Sequence, residues 1–430
     1  MHFGIIGGGI MGLTLGYYLS QEGYRVSLLE RGGKLGGLAG SLDFDGCTID
    51  KYYHSILGGD THLLHLIDEL GISGSLRFKG LRMGFYHEKR FYPMSTPREL
   101  MTFPPLNMLD RFRLVGTVLY SLAIRDWHKL EDISVEKWLT GVSGRNNYQN
   151  IWKPLLRAKF DGNFGDIPAT YIWSRILRMN SIRHADKTQG DNGYLTGGFY
   201  TLINSLAGHI RDQEGEILLN TAVERLEPEG NKIRLKTGER THVFDKVIST
   251  VPTPYFRNLL PQTLGWYKEK LAQIDYLDIV CLLMVLKKSL GPFHTLNITD
   301  GSLPFTGVIE TTHLIDPMYV NGNSLVYFPI YLAPGSEIFK MPESGVFQYC
   351  LPHIKEMFPD FREKDIVKTF VMRSRFVEPI HRVRRTGDIP DIITPVSNLF
   401  LANTTQVYPE ILNCESVVRF SKKVVEKIKS

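Results

Sequence analysis

The feature that most constrains this chain lies within its first thirty residues. An apolar tetrapeptide, FGII at 3–6, runs into three spaced glycines, Gly7, Gly9 and Gly12. A helix-like run follows over 12–21, then a second apolar stretch over 25–29 that ends in Glu30. Strand, glycine turn, helix and second strand form a complete βαβ dinucleotide-binding unit. Gly7 permits the tight turn, Gly9 lets backbone approach a pyrophosphate, and Gly12 lets helix and strand pack closely. The helix N-terminus offers free N–H groups to phosphate. Glu30 stands where a carboxylate grips ribose hydroxyls, so these residues predict a bound dinucleotide.

Arg31 and the pair Gly36-Gly37 follow, with Leu38 next. This extended pattern resembles the FAD fingerprint of the flavin-containing amine oxidase superfamily, which includes protoporphyrinogen oxidase and phytoene desaturase. The resemblance continues in DNGYLTGGFYTLINSLAGHI (191–210), in ILLNTAVERLEPEGNKIRLKTG (217–238) and in FDKVISTVPTPYF (244–256). It ends in NLFLANTTQVYPEILNCESVVRFSKKVVEKI (398–428). It implies non-covalent FAD, with Val223 at the adenine on a strand that leads into a hairpin. It also implies Asn403, Leu412 and Asn413 at the closing segment of the flavin site, and a loop past the isoalloxazine ring carrying Asp50, Tyr53, His54 and Ser55. Leu38 replaces the family's usual Arg, Ala402-Asn403 its Gly-Asp, and 411–413 its glycine before the last helix. Cys414 lies near the end of the chain where some relatives attach flavin covalently, but its surroundings do not match that motif.

The resemblance implies an α/β fold: a Rossmann-like FAD-binding domain built on a doubly wound sheet, discontinuous in sequence, with an inserted α+β substrate domain that includes a helical subdomain. Three segments, 1–70, 195–262 and 390–430, are expected to build the FAD domain. A first insertion, 75–190, reads helical, with apolar residues at helical spacing over 108–127 behind Pro104-Pro105. A second, 263–385, reads as a mixed sheet with a helix broken or started near Pro352. At 430 residues the chain is long enough for two or three cores.

Candidates for chemistry outside the cofactor unit are three. His54 is expected to titrate near neutrality and move a proton. Arg157 and Lys159 share one segment and suit a phosphate or carboxylate clamp. Tyr327 and Tyr331 alternate to one face of a strand, opposite Phe328, where they would line a tunnel over the flavin. A flavin carries the electron pair itself, so a dedicated catalytic side chain is not required.

Charge and cysteine usage narrow the partners. Between Arg82 and Lys187 there are 17 Lys and Arg against 10 Asp and Glu. That excess suits a solvated face, an anionic substrate or an anionic membrane surface met peripherally. No nucleic-acid module accompanies it. The four cysteines, Cys47, Cys281, Cys350 and Cys414, have no metal spacing, and the histidines lack ligand spacing, so no metal is expected. Reduced thiols and a cytoplasmic setting follow as the expectation. The cofactor strand starts at once, so no leader is expected, and no apolar run reaches spanning length. Three functions stay open: an FAD-dependent oxidoreductase acting on a fairly large, partly apolar or anionic small-molecule substrate; a non-redox mutase similar to UDP-galactopyranose mutase; and a non-catalytic prenyl-binding protein of the Rab GDP-dissociation inhibitor type.

Overall fold

In the computed structural model, residues 1–181 and 192–429 are described. The end of the basic insertion and the start of the 191–210 motif therefore lie outside the described residues. A five-stranded parallel sheet organises the cofactor end. It comprises Glu216–Leu218, Arg25–Leu29, His2–Ile6, Lys246–Ser249 and Leu399–Leu401, in that spatial order. Three distant parts of the sequence thus meet in one sheet. Apart from the half-buried edge strand Glu216–Leu218, its strands are short, largely apolar runs buried on both faces, as parallel strands require.

Helices Ile10–Gln21, Phe199–Asp212 and Cys414–Lys429 cover one face. The first of these is apolar nearly all round, because it packs against the sheet and both neighbouring helices. An antiparallel meander, Arg225–Glu229, Lys232–Thr237 and Arg240–Phe244, covers the other face together with Thr253–Leu259 and Gly265–Ala272. Residues 219–224 lie outside any strand, so Val223 sits in the connection before the meander rather than on a strand.

A seven-stranded mixed sheet forms the second layer. Its spatial order is Ile366–Ile380, Asp275–Leu286, Ser324–Leu332, Gly307–Glu310, Thr295–Ile298, Met83–His87 and Arg90–Pro93. The last two strands come from the first insertion, whose opening residues are therefore strand and not helix. Their alternation is short and interrupted by a tight turn at Glu88-Lys89, where both residues have positive φ, so helical periodicity was the wrong template there. Pro352 lies inside a continuous helix, Glu343–Met357, instead of breaking it. Buried Val346, Cys350, Leu351 and Ile354 anchor that helix on the sheet, and this packing outweighs the lost N–H. The helical block proper runs from Met108–Ala123, shorter than the periodicity suggested, to Thr170–Ser181.

The glycine turn shows why its residues are required. Gly7 has φ of +109°, a region that favours glycine. A Cβ on Gly12 would lie 2.0 Å from the Gly7 carbonyl oxygen, whereas one on Gly9 would have nothing within 4 Å. Gly12→Ala should therefore destabilise the fold by about 1–3 kcal/mol or more through overpacking. Gly9→Ala should keep its melting temperature and lose bound dinucleotide. Thermal melts and cofactor content of the two variants check both outcomes.

Candidate active site

Glu30, at the end of the second strand, organises the dinucleotide loop. Its carboxylate accepts from Gly8 N–H at 2.7 Å and from Gly32 N–H at 2.7 Å. The Gly36 N–H donates to the Gly8 carbonyl at 2.8 Å, and Gly9 and Gly36 form an isolated parallel bridge. Gly36 has φ of +108°. A Cβ there would meet Ile203 at 2.6 Å, and one on Gly37 would stand 3.3 Å from the Gly9 Cα. The two glycine loops are thus locked to each other by backbone, with open space over Gly9 at the start of the first helix. This cradle fits a pyrophosphate, and Glu30 fits the ribose beside it.

Arg31 is exposed, its guanidinium 4.7 Å from the centroid of the Tyr255 ring. Leu38 is half-buried against the apolar cluster that holds Phe44, Tyr52 and Tyr327, so it packs and offers no charge. Val223 packs partly against the meander core, one connection away from Glu30, whose carbonyl accepts from Thr221 N–H at 2.8 Å. Asn403 is buried with its amide already engaged: Nδ2 donates to the Val251 carbonyl at 3.0 Å, and Oδ1 accepts from Thr405 N–H at 3.1 Å. It ties the last strand to the 246–251 return. Asn413 accepts from Ser416 N–H at 3.0 Å at the start of the last helix, a capping contact. Leu412, just before it, lines a cavity described below.

The 50–55 loop crosses between the two layers. The Asp50 carboxylate accepts from Phe199 N–H at 3.0 Å, at the N-terminus of the Phe199–Asp212 helix. The Asp50 backbone carbonyl accepts from the Tyr327 hydroxyl at 2.7 Å. His54 Nδ1–H donates to the Tyr52 carbonyl at 2.8 Å, and its ring lies 5.1 Å from that of Phe199. Ser55 follows, half-buried, on the same loop. Burial pushes His54 down to about 4, so it is neutral at pH 7 and does not titrate near neutrality. The group that does is Asp50, which burial pushes up to about 7 against the opposing Phe199 N–H bond.

Tyr331 and Tyr327 share a face of the Ser324–Leu332 strand, with Phe328 opposite in a separate core. Tyr331 meets Tyr53 and Lys159 rather than plain apolar packing. The Lys159 ammonium lies 3.4 Å from the Tyr331 ring centroid and forms a buried ion pair with Glu378. Arg157, two residues earlier on the Lys153–Phe160 helix, is exposed. Residues two apart on a helix do not share a face, so the expected Arg157–Lys159 clamp does not form.

Glu378 was not visible in the sequence. It follows a bulge in the Ile366–Ile380 edge strand, where Ser374 and Glu378 bracket a register shift opposite Ile279 and Leu277. Phe376 takes φ of +57° there, and buried Asp278 accepts its N–H at 2.9 Å. The bulge re-aims the chain toward the helical block. Pro379, a residue tolerated in strands only at edges or bulges, was the available signal.

Beyond the bulge, a cavity of about 40 Å³ lies where the helical block, this strand and the closing segment meet. Tyr171, Glu378, His381, Tyr408, Glu410 and Leu412 are among its walls. Burial pushes His381 down to about 4, partly offset by the charge of Glu378. Glu378 is paired with Lys159, and Glu410 with Arg419. No lysine or arginine stands among the described residues lining it. A larger basin of about 570 Å³ around Asn163 and Asp166 is superficial, and its Arg382 already bridges Asp166 and Asp275.

Two measurements check this geometry. Glu378→Gln leaves Lys159 buried and unpaired, which should cost about 3–5 kcal/mol. A Lys159→Met, Glu378→Met double variant should recover most of that in denaturant melts. For Asp50 the folded value lies above the ordinary carboxylate value of 3.8. The stability it contributes is therefore present at low pH and lost as pH rises through about 7. Asp50→Asn keeps an acceptor for Phe199 N–H, so its melting temperature should gain on the parent progressively between about pH 4 and about pH 7.

Comparison with known proteins agrees with the glycine cradle. The family model for flavin containing amine oxidoreductase matches residues 10–410. The zeta-carotene desaturase of Arabidopsis thaliana is 22% identical over 457 residues, covering 93% of this chain and 80% of that protein. The 15-cis-phytoene desaturase of Capsicum annuum is also 22% identical, over 99% of this chain and 77% of its own. An oxidoreductase from Methanosarcina mazei superposes with a TM-score of 0.78 at 20% identity, covering 99% of this chain and all of its own. Reduced UDP-galactopyranose mutase superposes with a TM-score of 0.77 at 14% identity, covering 100% of this chain and 95% of its own. The chain belongs to the flavin-containing amine oxidoreductase family and is an FAD-dependent oxidoreductase.

Proposed function

We propose that this oxidoreductase removes hydride from an uncharged, mostly apolar substrate, as a carbon–carbon desaturase does. The observation that carries the reading is the charge state of the residues around the cavity, which at about 40 Å³ would have to widen to admit such a substrate. Its walls are mostly aromatic and aliphatic, with Ser174, Thr404 and a neutral His381 among them, and both of its carboxylates already have counter-ions. Arg175 packs over the Tyr171 ring at 4.8 Å and feels the charge of Glu378, and no lysine or arginine among the described residues lines the cavity to receive an anion, whose burial unpaired would be costly. The names of the carotene desaturases point to the same substrate class.

When bound, FAD supplies the two-electron acceptor. Gly7, Gly9, Gly12 and Glu30 would hold its dinucleotide part, and the 50–55 loop would stand at its ring. His54, neutral and anchored through Nδ1–H, would keep a lone pair on Nε2 as an acceptor. Tyr53 and Tyr331 would shape the floor between the cavity and the sheet. The Lys159–Glu378 pair would fix Tyr331 and hold the bulge in place. Burial pushes the Cys414 thiol up to about 12, which leaves it a poor nucleophile and supports non-covalent cofactor binding.

The mutase reading asks for cations that receive a nucleotide diphosphate. Arg157 is exposed and Lys159 is already paired, which favours the redox reading over it. Anaerobic titration of the flavin-loaded protein separates the readings. Bleaching of the band near about 450 nm is expected with a long polyene precursor, and not with diamines or UDP-galactose. Reduction by amines alone, or sugar-nucleotide turnover that needs pre-reduced flavin, would overturn it.

A further inference from the structure

Two cations beside the glycine cradle have no acid to pair with. Lys51 is half-buried and Arg31 is exposed. Among the described residues no carboxylate forms an ion pair with either. Arg31 lies over the Tyr255 ring, and the Lys51 ammonium lies 5.5 Å from the centroid of the Tyr52 ring. The acids of the same segment are engaged elsewhere. Asp43 pairs with Lys34, Asp45 accepts from Asn321 Nδ2, and Asp50 accepts from Phe199 N–H. Glu30 accepts from Gly8 and Gly32 N–H. Burial and the Arg31 charge together hold Lys51 below the ordinary lysine value, so the two cations are near enough to repel.

The chain fixes both cations in this place. Lys51 N–H donates to the Gly40 carbonyl at 2.8 Å, at the end of the second glycine loop. Its neighbours are pinned as well, Asp50 to Phe199 N–H and the Tyr52 hydroxyl to Ser374. Arg31 follows Glu30 directly. One cation is therefore attached to each of the two loops that Gly9 and Gly36 bridge.

The cradle between them supplies no positive side chain. Its glycines offer backbone only, and Leu38 packs into the apolar cluster with Phe44 and Tyr327. Glu30, the carboxylate bonded to the cradle, has the wrong sign for phosphate. A dinucleotide brings two ionised phosphates, and cations bind these more strongly than neutral N–H groups do.

We propose that Lys51, assisted by Arg31, is the cationic ligand of the FAD diphosphate and supplies the charge that Leu38 does not. The proposal rests on the FAD assignment and not on the desaturase reading. Lysine acts here as a point charge on a flexible stem, so it closes on phosphate oxygens without a preset bidentate geometry. One anion satisfies both cations at once. The apoprotein thus holds a repulsion that the cofactor relieves, and affinity for the cofactor is set against stability of the empty protein.

Full-length apoprotein should be titrated with FAD, followed by flavin fluorescence, at several salt concentrations. Lys51→Met should weaken FAD binding about tenfold or more. It should also flatten the salt dependence of the dissociation constant, because one screened attraction is gone. Its apoprotein should melt at or above the parent's temperature, since the repulsion with Arg31 is removed. Lys51→Glu should raise that temperature further by pairing with Arg31, and bind FAD more weakly still. Lys51→Arg should retain most of the affinity. Should Lys51→Met fold poorly, Lys51→Gln gives the same comparison. Equal FAD affinity in the parent and the neutral variant would overturn the proposal. So would a loss of affinity that comes with a lower apoprotein melting temperature and an unchanged salt dependence, which would assign Lys51 to packing.

Discussion

The structure depends on a carboxylate that holds two backbone turns in register. Glu30 accepts N–H groups from Gly8 and Gly32 and so ties the first glycine loop to the end of the second strand. The 36–37 pair then closes onto that loop through Gly36 N–H and the bridge to Gly9. These contacts leave the start of the first helix open while every neighbouring position is tight. A helix N-terminus with free N–H groups and room in front of it receives an anion without further machinery. The later segments of the parallel sheet attach in sequence: Thr250 N–H and Oγ1 donate to the Ile6 carbonyl beside the turn, and Ala402 N–H donates to the Ser249 carbonyl next to Thr250.

The two layers of the molecule are joined by polar contacts around Tyr327 and Tyr331. Tyr327 holds the 50–55 loop through the Asp50 carbonyl, and Tyr52 donates to Ser374 at 2.9 Å on the edge strand. The Asp278–Phe376 contact fixes a bulge that brings Glu378 to Lys159. Helical block, sheet and cofactor loop therefore share one buried network. Such networks are costly to leave half satisfied. Both carboxylates of the cavity beside it, Glu378 and Glu410, are ion-paired.

The helical block shows the limits of composition as a guide. An excess of Lys and Arg suggested an anionic partner, and Arg157 with Lys159 looked like its receptor. Folding divides them. Lys159 turns inward to an acid 219 residues away, and Arg157 remains on the surface. Periodicity identified the Met108–Ala123 helix correctly but not which side faces the core: Leu109, Phe112 and Leu119 are exposed, and Asp110, Thr117 and Ser121 are buried. An amphipathic stripe specifies a buried face only when the partner layer is apolar, and here Asn146, Asn147 and Trp173 offer polar groups.

Local chemistry made the cofactor end legible from sequence. Glycine spacing, a terminal acid and short apolar strands are constraints within about thirty residues, and each has one stereochemical solution. Gly7, Gly9, Gly12, Glu30 and Gly36-Gly37, singled out by that spacing, come together in one locked pair of loops. Burial and long-range pairing decided the rest. His54 appeared to be a proton carrier because an isolated imidazole titrates near neutrality; enclosure lowers it and raises Asp50 instead. The Asn403 amide is engaged by the Val251 carbonyl and by Thr405 N–H, partners that its own neighbourhood in the chain does not reveal in full. Glu378 and His381 carried no signal beyond Pro379 between them, because a bulge in an edge strand aims them. Sequence determined the residues whose role is set by their own backbone; tertiary structure decided every role set by what packs against a side chain from hundreds of residues away.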